Sequence, residues 1–230
     1  MRRSKLYKSQ LSTIEENRYY DILDALNALK AMPQPKFNQT VEVAFKLGID
    51  PRKSDQTVRG AIPLPKGTGK DVTVCVVATG SEAEEAKAAG ADFVGMEDII
   101  EKIKDGWLDF DVLIATPDAM KQVRPLGRQL GPRGLMPNPK TGTVTDQTAN
   151  AVKEAKAGRV EFRADRGACV HVPIGKISFT AEDLAENFEA VLHAIEAAKP
   201  ATAKGVYIQS CSATATMSPS VKVNLKEYAR

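Results

Sequence analysis

The stretch whose residue types most clearly suggest chemistry is Leu126–Lys140, LGRQLGPRGLMPNPK, which has no acidic residue. Its cationic residues are Arg128, Arg133 and Lys140. Cationic side chains at short spacing are suited to phosphate groups. Prolines restrict the backbone, so such a loop loses little entropy on binding. The pattern predicts a fixed cationic loop facing a phosphate-rich partner, and a rigid interdomain connector with solubilising arginines fits the spacing equally well.

A second candidate site precedes and enters an alternating segment, at Lys36, Phe37, Thr40 and Glu42. Lys36 is suited to a phosphate and Phe37 to a sugar or base, while Thr40 and Glu42 share one polar face of a strand. Glu42 is able to accept from a base amino group or a hydroxyl, or to position a cation. From the residues alone, a core Phe37 and a solvated Glu42 explain the pattern at least as well.

A third candidate site lies near the end of the chain, where hydroxyls are dense and charge is absent. It comprises Ser210, Thr214, Thr216, Met217 and Ser218. Small polar residues of this kind are suited to the shape and 2′-hydroxyls of RNA. The alternative is an ordinary edge strand.

Signals for catalysis are weak. The turn ATGSEAEE holds one glycine, Gly80, where a dinucleotide fingerprint needs three, and its glutamates would repel a pyrophosphate. The sequence KGTGKD at Lys66–Asp71 lacks the first glycine and the Ser or Thr of a phosphate-binding loop. His171 alternates with Val170 and Val172 in a predicted strand, and His193 lies on the helix capped by Thr180, so both are interpreted as structural and not as general bases. We therefore expect no catalytic residue, no cofactor and no metal site.

The elements that would position these residues can be read from periodicity. Ser12 and Glu15 have capping-box spacing, and apolar residues recur from Tyr19 to Leu29, which predicts one amphipathic helix. Gln39–Leu47 alternates, which predicts a strand with one apolar face.

The middle of the chain has a different pattern from its ends. Apolar runs and helical segments alternate from Val72 to Ala115, which predicts βαβαβ units and a parallel sheet with helices on its faces. Beyond Gly158, short strands flank a helix capped by Thr180. Pro63, Pro65, Gly67 and Gly69 mark a crossing between two domains.

Charge and cysteine content bound the cellular setting. The net charge is only +3, but residues 81–111 hold ten acidic residues and three lysines, so this acidic segment should face away from a nucleic acid. Cys75, Cys169 and Cys211 lie far apart, which favours a reducing compartment over a zinc site or disulfides. No apolar stretch is long enough to span a bilayer, so we expect a soluble intracellular protein.

Three motifs in order closely resemble those of the ribosomal protein L-one family, bacterial type, which is found in the mobile lateral stalk of the large ribosomal subunit. They are KFNQTVEVAFKLGIDPRKSDQTVRG, LGRQLGPRGLMPNPKTGTV and TMSPSVKV. The resemblance covers nearly the whole chain. It implies an α/β protein of two domains, in which residues 1–66 and 159–230 form a discontinuous α+β RNA-binding domain and residues 67–158 form an inserted Rossmann-like βαβ domain.

The resemblance also implies a function and a site. The function is a non-enzymatic one: binding large-subunit ribosomal RNA at the stalk, assisting release of deacylated tRNA from the exit site, and repressing translation from the leader of its own mRNA. The protein would be a monomer within the ribosome, in the cytoplasm or an organelle. The implied RNA-binding residues are Lys36, Phe37, Thr40, Glu42, Ser210, Thr216, Met217 and Ser218. Arg128, Arg133 and Lys140 rank below them, as a secondary RNA contact or hinge loop.

Two other classes of function stay open from the residues. A βαβ nucleotide-binding enzyme would hold a phosphorylated substrate in the basic loop. A general RNA chaperone would bind RNA without structural preference.

Overall fold

The structure is a computed structural model that describes residues 3–15 and 18–225, without the side chains of Ser54 and Lys140. The chain forms two compact units, Met1–Gly69 with Val160–Arg230, and Lys70–Arg159. Short 3-10 turns occur at Ser54–Gln56, Arg124–Leu126, Gly131–Arg133 and Pro139–Thr141. In chain order the helices and strands are α1 (Lys5–Leu11), α2 (Ile22–Ala31), β1 (Thr40–Leu47), β2 (Arg59–Pro63), β3 (Val74–Val77), α3 (Ser81–Ala88), β4 (Phe93–Gly95), α4 (Glu97–Lys104), β5 (Val112–Ala115), α5 (Met120–Val123), α6 (Gly127–Leu130), α7 (Thr148–Lys156), β6 (Arg159–Arg163), β7 (Cys169–Lys176), α8 (Ala181–Ala197), β8 (Ile208–Ala215) and β9 (Val221–Val223).

The first unit is built on an antiparallel sheet with the strand order β7-β1-β8-β9. The alternation in β1 buries Val41, Val43 and Phe45 completely, as the sequence predicts. These side chains form one core with buried residues of α2 and α8. The mixed α/β class expected from the sequence is confirmed. Because strand residues alternate between faces, the other face of the sheet is left to polar residues.

The first helical region differs from the prediction of one helix starting at Ser12. Ser12 instead ends α1, whose N-cap is Ser4, and α2 begins only after Asp21. Tyr20 explains the break, because its backbone N–H donates to Lys222 O at 3.0 Å and pairs it with β9. Extended pairing at residue 20 is incompatible with a helical turn there.

The C-terminal part follows its prediction more closely. The Thr180 hydroxyl accepts from Asp183 N at 3.0 Å and caps α8. The alternative of an edge strand does not hold for Cys211–Ala213, because this part of β8 is paired with both β1 and β9. Thr216, Met217 and Ser218 follow β8 in a turn. The apolar half of β8, namely Cys211, Ala213 and Ala215, is buried.

The second unit contains the parallel sheet predicted for the middle of the chain. Its strand order is β4-β3-β5, and both neighbours run parallel to β3. Cys75 and Val77 pack with α4 on one face, whereas Val74 and Val76 pack with α3 and α7 on the other. Both faces of the sheet are thus covered by helices, and the continuous apolar run of β3 follows from this two-sided burial.

The segment 126–140 is not the loop predicted from its composition. It contains α6 and short 3-10 turns. Val123, Leu126 and Leu130 are buried at helical spacing in the core of the second unit. This burial favours a helical conformation despite the glycines and prolines, and it leaves Arg128 and Arg133 exposed.

Candidate nucleic-acid interface

The polar face of the four-stranded sheet carries three of the predicted residues on its strands, Thr40, Glu42 and Ser210. On β1 it carries Thr40, Glu42 and Lys46. Across the sheet, Glu42 pairs with Thr214 on β8, and Lys46 pairs with Ser210. Glu42 and Ser210 are exposed. This open face is therefore rich in hydroxyls, with one carboxylate and one ammonium group along β1.

Thr40 and Thr216 join the two halves of the site, which are 176 residues apart in sequence. Thr40 N donates to Thr216 Oγ1 at 3.1 Å, and Thr216 N donates to Thr40 O at the same distance. Thr216 Oγ1 also donates to Thr40 O at 3.3 Å. Lys176 Nζ donates to Thr40 Oγ1 at 2.8 Å. The start of β1 and the turn after β8 are thereby fixed to each other.

Gln39 is a further link between the two halves and is absent from the residues predicted by the sequence. It is fully buried, and its Oε1 accepts from Met217 N at 2.7 Å. Its Nε2 donates to Gln34 Oε1, and its backbone O accepts from Ile177 N at 2.9 Å. The signal in the sequence is its phase, because alternation places Gln39 on the same face as Val41. A polar residue at a buried phase needs hydrogen-bond partners.

Phe37 and Met217 are the apolar part of this surface. The exposed fractions of the two residues are 50% and 55%. Phe37 therefore does not belong to the core, which was the alternative interpretation of its sequence. Phe37 lies two residues before Gln39 in the chain, and the Gln39 side chain accepts a hydrogen bond from Met217 N. Gln39 therefore connects the two segments that carry these apolar groups. We call Lys36, Phe37, Thr40, Glu42, Thr216, Met217 and Ser218 the Phe37–Met217 surface.

Ser218 has a mainly local role in this surface. Its hydroxyl accepts from Ala215 N at 2.8 Å, while its own N–H donates to Ala215 O at 3.0 Å. The hydroxyl also lies 3.0 Å from Pro219 O, to which it is able to donate. The side chain thus closes the turn that presents Met217.

Ser210 lies apart from the other predicted residues. It pairs with Lys46, whereas Glu42 pairs with Thr214. Glu42 and Lys46 are four positions apart on β1, which corresponds to about 13 Å along the sheet. Ser210 shares the open face with the Phe37–Met217 surface but marks the opposite end of it.

The three secondary residues, Arg128, Arg133 and Lys140, belong to the second unit. Arg128 is on α6 and Arg133 ends a 3-10 turn, both exposed. Lys140 lies in the turn Pro139–Thr141, and its side chain is outside the described residues. Arg128 and Arg133 therefore lie on helical turns and not on an extended loop.

Features that would indicate other chemistry are weak in the described part of the chain. Within residues 3–15 and 18–225, there is no group of three or more His, Cys, Asp or Glu placed to hold a metal ion. In the same ranges, no helix has the length and apolarity needed to cross a membrane. The KGTGKD sequence is followed by strand β3 instead of a helix, so it lacks the helix N-terminus of a phosphate-binding loop.

Exposed Phe37 and Met217 beside hydroxyl-bearing residues provide the aromatic, thioether and polar groups that macromolecular interfaces use. Residues 29–219 match a family model described as "Ribosomal protein L1p/L10e family". The chain is also 52% identical over 227 residues to "Large ribosomal subunit protein uL1" of Lactiplantibacillus plantarum, covering 99% of each chain.

The chain belongs to the ribosomal protein L1p/L10e family. The resemblance drawn from its three motifs is confirmed. Members of this family are structural and not enzymatic, so the interpretation as a nucleotide-binding enzyme is wrong.

Proposed function

We propose that the protein is a structural constituent of the large ribosomal subunit that binds large-subunit ribosomal RNA through the Phe37–Met217 surface, with Ser210. The observation that carries the proposal is the joining of two distant segments by Gln39, Thr40 and Thr216 into one surface with exposed Phe37 and Met217. The family and the name of the bacterial relative support the ribosomal partner.

Hydrogen-bond capacity distinguishes the roles of the polar groups. Thr216 Oγ1 accepts one bond and donates another within the protein, so its main role is to position the turn. Thr40 Oγ1 accepts from Lys176, which leaves its own O–H able to donate to RNA. Glu42 is an acceptor and suits a base amino group or a 2′-hydroxyl, whereas Lys36 suits a phosphate.

The apolar groups are expected to supply much of the binding energy. Phe37 would stack on a base or sugar, and Met217 would pack beside it. A base that stacks on an aromatic ring contributes about 1–3 kcal/mol. Because the backbone that carries Met217 is already fixed by Gln39, little ordering entropy is lost when RNA binds.

The finer assignments follow the resemblance. We propose that residues 1–66 and 159–230 form the RNA-binding domain and that residues 67–158 form an inserted Rossmann-like domain. The RNA site is the lateral stalk, where the protein acts as a cytoplasmic, ribosome-bound monomer. It assists release of exit-site tRNA and represses its own mRNA by binding a similar structure in the leader. Arg128, Arg133 and Lys140 form a weaker, salt-sensitive secondary contact.

Single alanine variants test the site. Phe37→Ala and Met217→Ala should each weaken binding to the stalk fragment of large-subunit RNA by about 1–3 kcal/mol, or roughly 5- to 150-fold in Kd. Leu23→Ala is the matched control, because Leu23 is 48% exposed on α2 and lies outside the surface. Lys140→Gln should have a smaller effect, mainly on salt dependence. Unchanged affinity in both Phe37→Ala and Met217→Ala would remove the site assignment.

A further inference from the structure

A groove at the Ser210 end of the open sheet face is the basis of a further assignment. Its lining side chains include Lys46, Lys53 and Lys204, and its volume is about 610 Å³. We propose that this cationic groove is a second RNA-binding site that holds the phosphodiester backbone of the RNA. The assignment rests on the proposed function, because it concerns the same RNA.

The walls of the groove are built by close backbone packing. Gly48 N donates to Tyr207 O at 2.7 Å. A Cβ on Gly48 would lie 2.2 Å from Val206 O, so only glycine permits this approach of the end of β1 to the segment before β8. Gln56 joins the same two segments, because its Oε1 accepts from Asp50 N at 2.7 Å and its Nε2 donates to Thr202 O at 3.4 Å. The groove is therefore preformed.

The charge of the groove favours an anion. Three lysines face one carboxylate, Asp50, among the lining residues. Asp50 Oδ1 already accepts from Arg52 N at 3.1 Å, which uses part of its acceptor capacity in the loop. Lys46 Nζ donates to Gly167 O, which holds one ammonium group in place while leaving it further N–H donors. An ammonium group contacts phosphate as a point charge and needs no particular base.

The position and composition of the groove favour RNA over a protein partner. Lys46 lies on the same sheet face as Glu42, about 13 Å away along β1. A strand of RNA that leaves the Phe37–Met217 surface along this face reaches Lys46 and Ser210 next. Protein interfaces usually rely on aromatic anchors. No aromatic residue is among the described side chains that line the groove, and the exposed apolar contribution comes from Val206. Ser210 is thus assigned to the groove end of the RNA path.

The test compares two double variants that remove the same charge. In Lys53→Gln/Lys204→Gln two of the three groove lysines are neutralised and Lys46 is kept. The matched control Lys87→Gln/Lys102→Gln neutralises two exposed lysines of α3 and α4. Each protein is titrated with the stalk fragment of large-subunit RNA over a series of salt concentrations. The slope of log K against log salt should become shallower by about 2 in the groove variant, about 1 for each lost phosphate contact, and stay unchanged in the control. The preference for the stalk fragment over a scrambled RNA should be the same in both, because phosphate contacts carry no sequence information.

Lysine acylation provides an independent measurement on the unmodified sequence. The stalk fragment should protect Lys53 and Lys204 from acylation and leave Lys87 reactive. Protection of none of the groove lysines, or an equal loss of slope in both double variants, would overturn the groove assignment.

The outcomes separate this proposal from the function on which it rests. An unchanged groove variant with a weakened Phe37→Ala variant overturns the groove alone. A shallower slope in the groove variant with an unchanged Phe37→Ala variant overturns the Phe37–Met217 surface alone. A chain that binds no RNA contradicts both.

Discussion

Gln39→Ala should weaken RNA binding although the buried side chain is not expected to touch RNA. The substitution removes the bond from Met217 N to Gln39 Oε1, 2.7 Å long, and the bond from Gln39 Nε2 to Gln34 Oε1. A neutral hydrogen bond contributes about 0.5–1.5 kcal/mol net, so the two together stabilise the fold by about 1–3 kcal/mol. The free energy of unfolding should fall by that amount in urea titrations.

The effect on RNA affinity has an upper limit set by Met217. If Gln39 acts by holding the Met217 turn, its loss should not exceed that of Met217→Ala, which is about 1–3 kcal/mol. The two effects should also overlap, so the double variant Gln39→Ala/Met217→Ala should bind only slightly more weakly than Met217→Ala.

Titration of the stalk fragment with the wild type, both single variants and the double variant measures this coupling. Gln34→Ala is the control, since it also removes the Gln34–Gln39 bond but leaves the bond to Met217 N in place. Losses of affinity that add fully in the double variant, or an effect of Gln34→Ala as large as that of Gln39→Ala, would refute the positioning role of Gln39.

Three further predictions concern the fold. Asn187→Ala should lower the free energy of unfolding, measured in urea titrations, by about 3–5 kcal/mol. The reason is that the buried Asn187 side chain accepts a hydrogen bond from Lys66 N and donates to Gly67 O and Ile174 O. Asn150→Ala is the control and should change it little, because Asn150 is exposed. The pKa values of the Asp92 and Asp111 carboxylates are both lowered. The largest cause is a hydrogen bond accepted from Val74 N at Asp92 and from Lys70 Nζ at Asp111. Their folded pKa values lie below the unfolded value of about 3.9, so their contribution to the free energy of unfolding is complete above about pH 5 and is lost as pH falls through the folded values. In urea titrations followed by Trp107 fluorescence, the midpoint should fall below about pH 4. An unchanged midpoint at pH 3 would contradict this. A thiol reagent at pH 7 should modify Cys169 first, because Cys75 and Cys211 are buried and burial raises the pKa of the Cys75 thiol to about 12. Fast reaction of all three thiols would contradict this burial.

The sequence predicted those parts of the fold in which periodicity and burial agree. The alternation of β1 and the apolar run of β3 are each set by the faces they bury, so pattern alone identifies them. The prediction of one helix from Ser12 was wrong, because pairing of Tyr20 with β9 overrides the local capping signal. That pairing joins residues about 200 apart, which no local pattern contains.

The sequence leads to the members of the proposed site but not to the contacts that join them. Phe37, Thr40 and Met217 were named through the resemblance, while composition alone favoured the segment with Arg128. Contacts that join the site, above all Gln39 to Met217 N, connect positions 178 residues apart. The separation of Ser210 from Glu42 depends on the register of β1 with β8, which only the fold reveals.

The measurement that tests the central claim most directly is a titration of the purified protein with the stalk fragment of large-subunit RNA and with a scrambled RNA of equal length, at two salt concentrations. We predict selective binding to the stalk fragment that persists at the higher salt, because stacking and hydrogen bonds supply part of the affinity. Equal and salt-sensitive binding to both RNAs would indicate a nonspecific RNA chaperone, and it would contradict the claim that the Phe37–Met217 surface recognises a folded RNA.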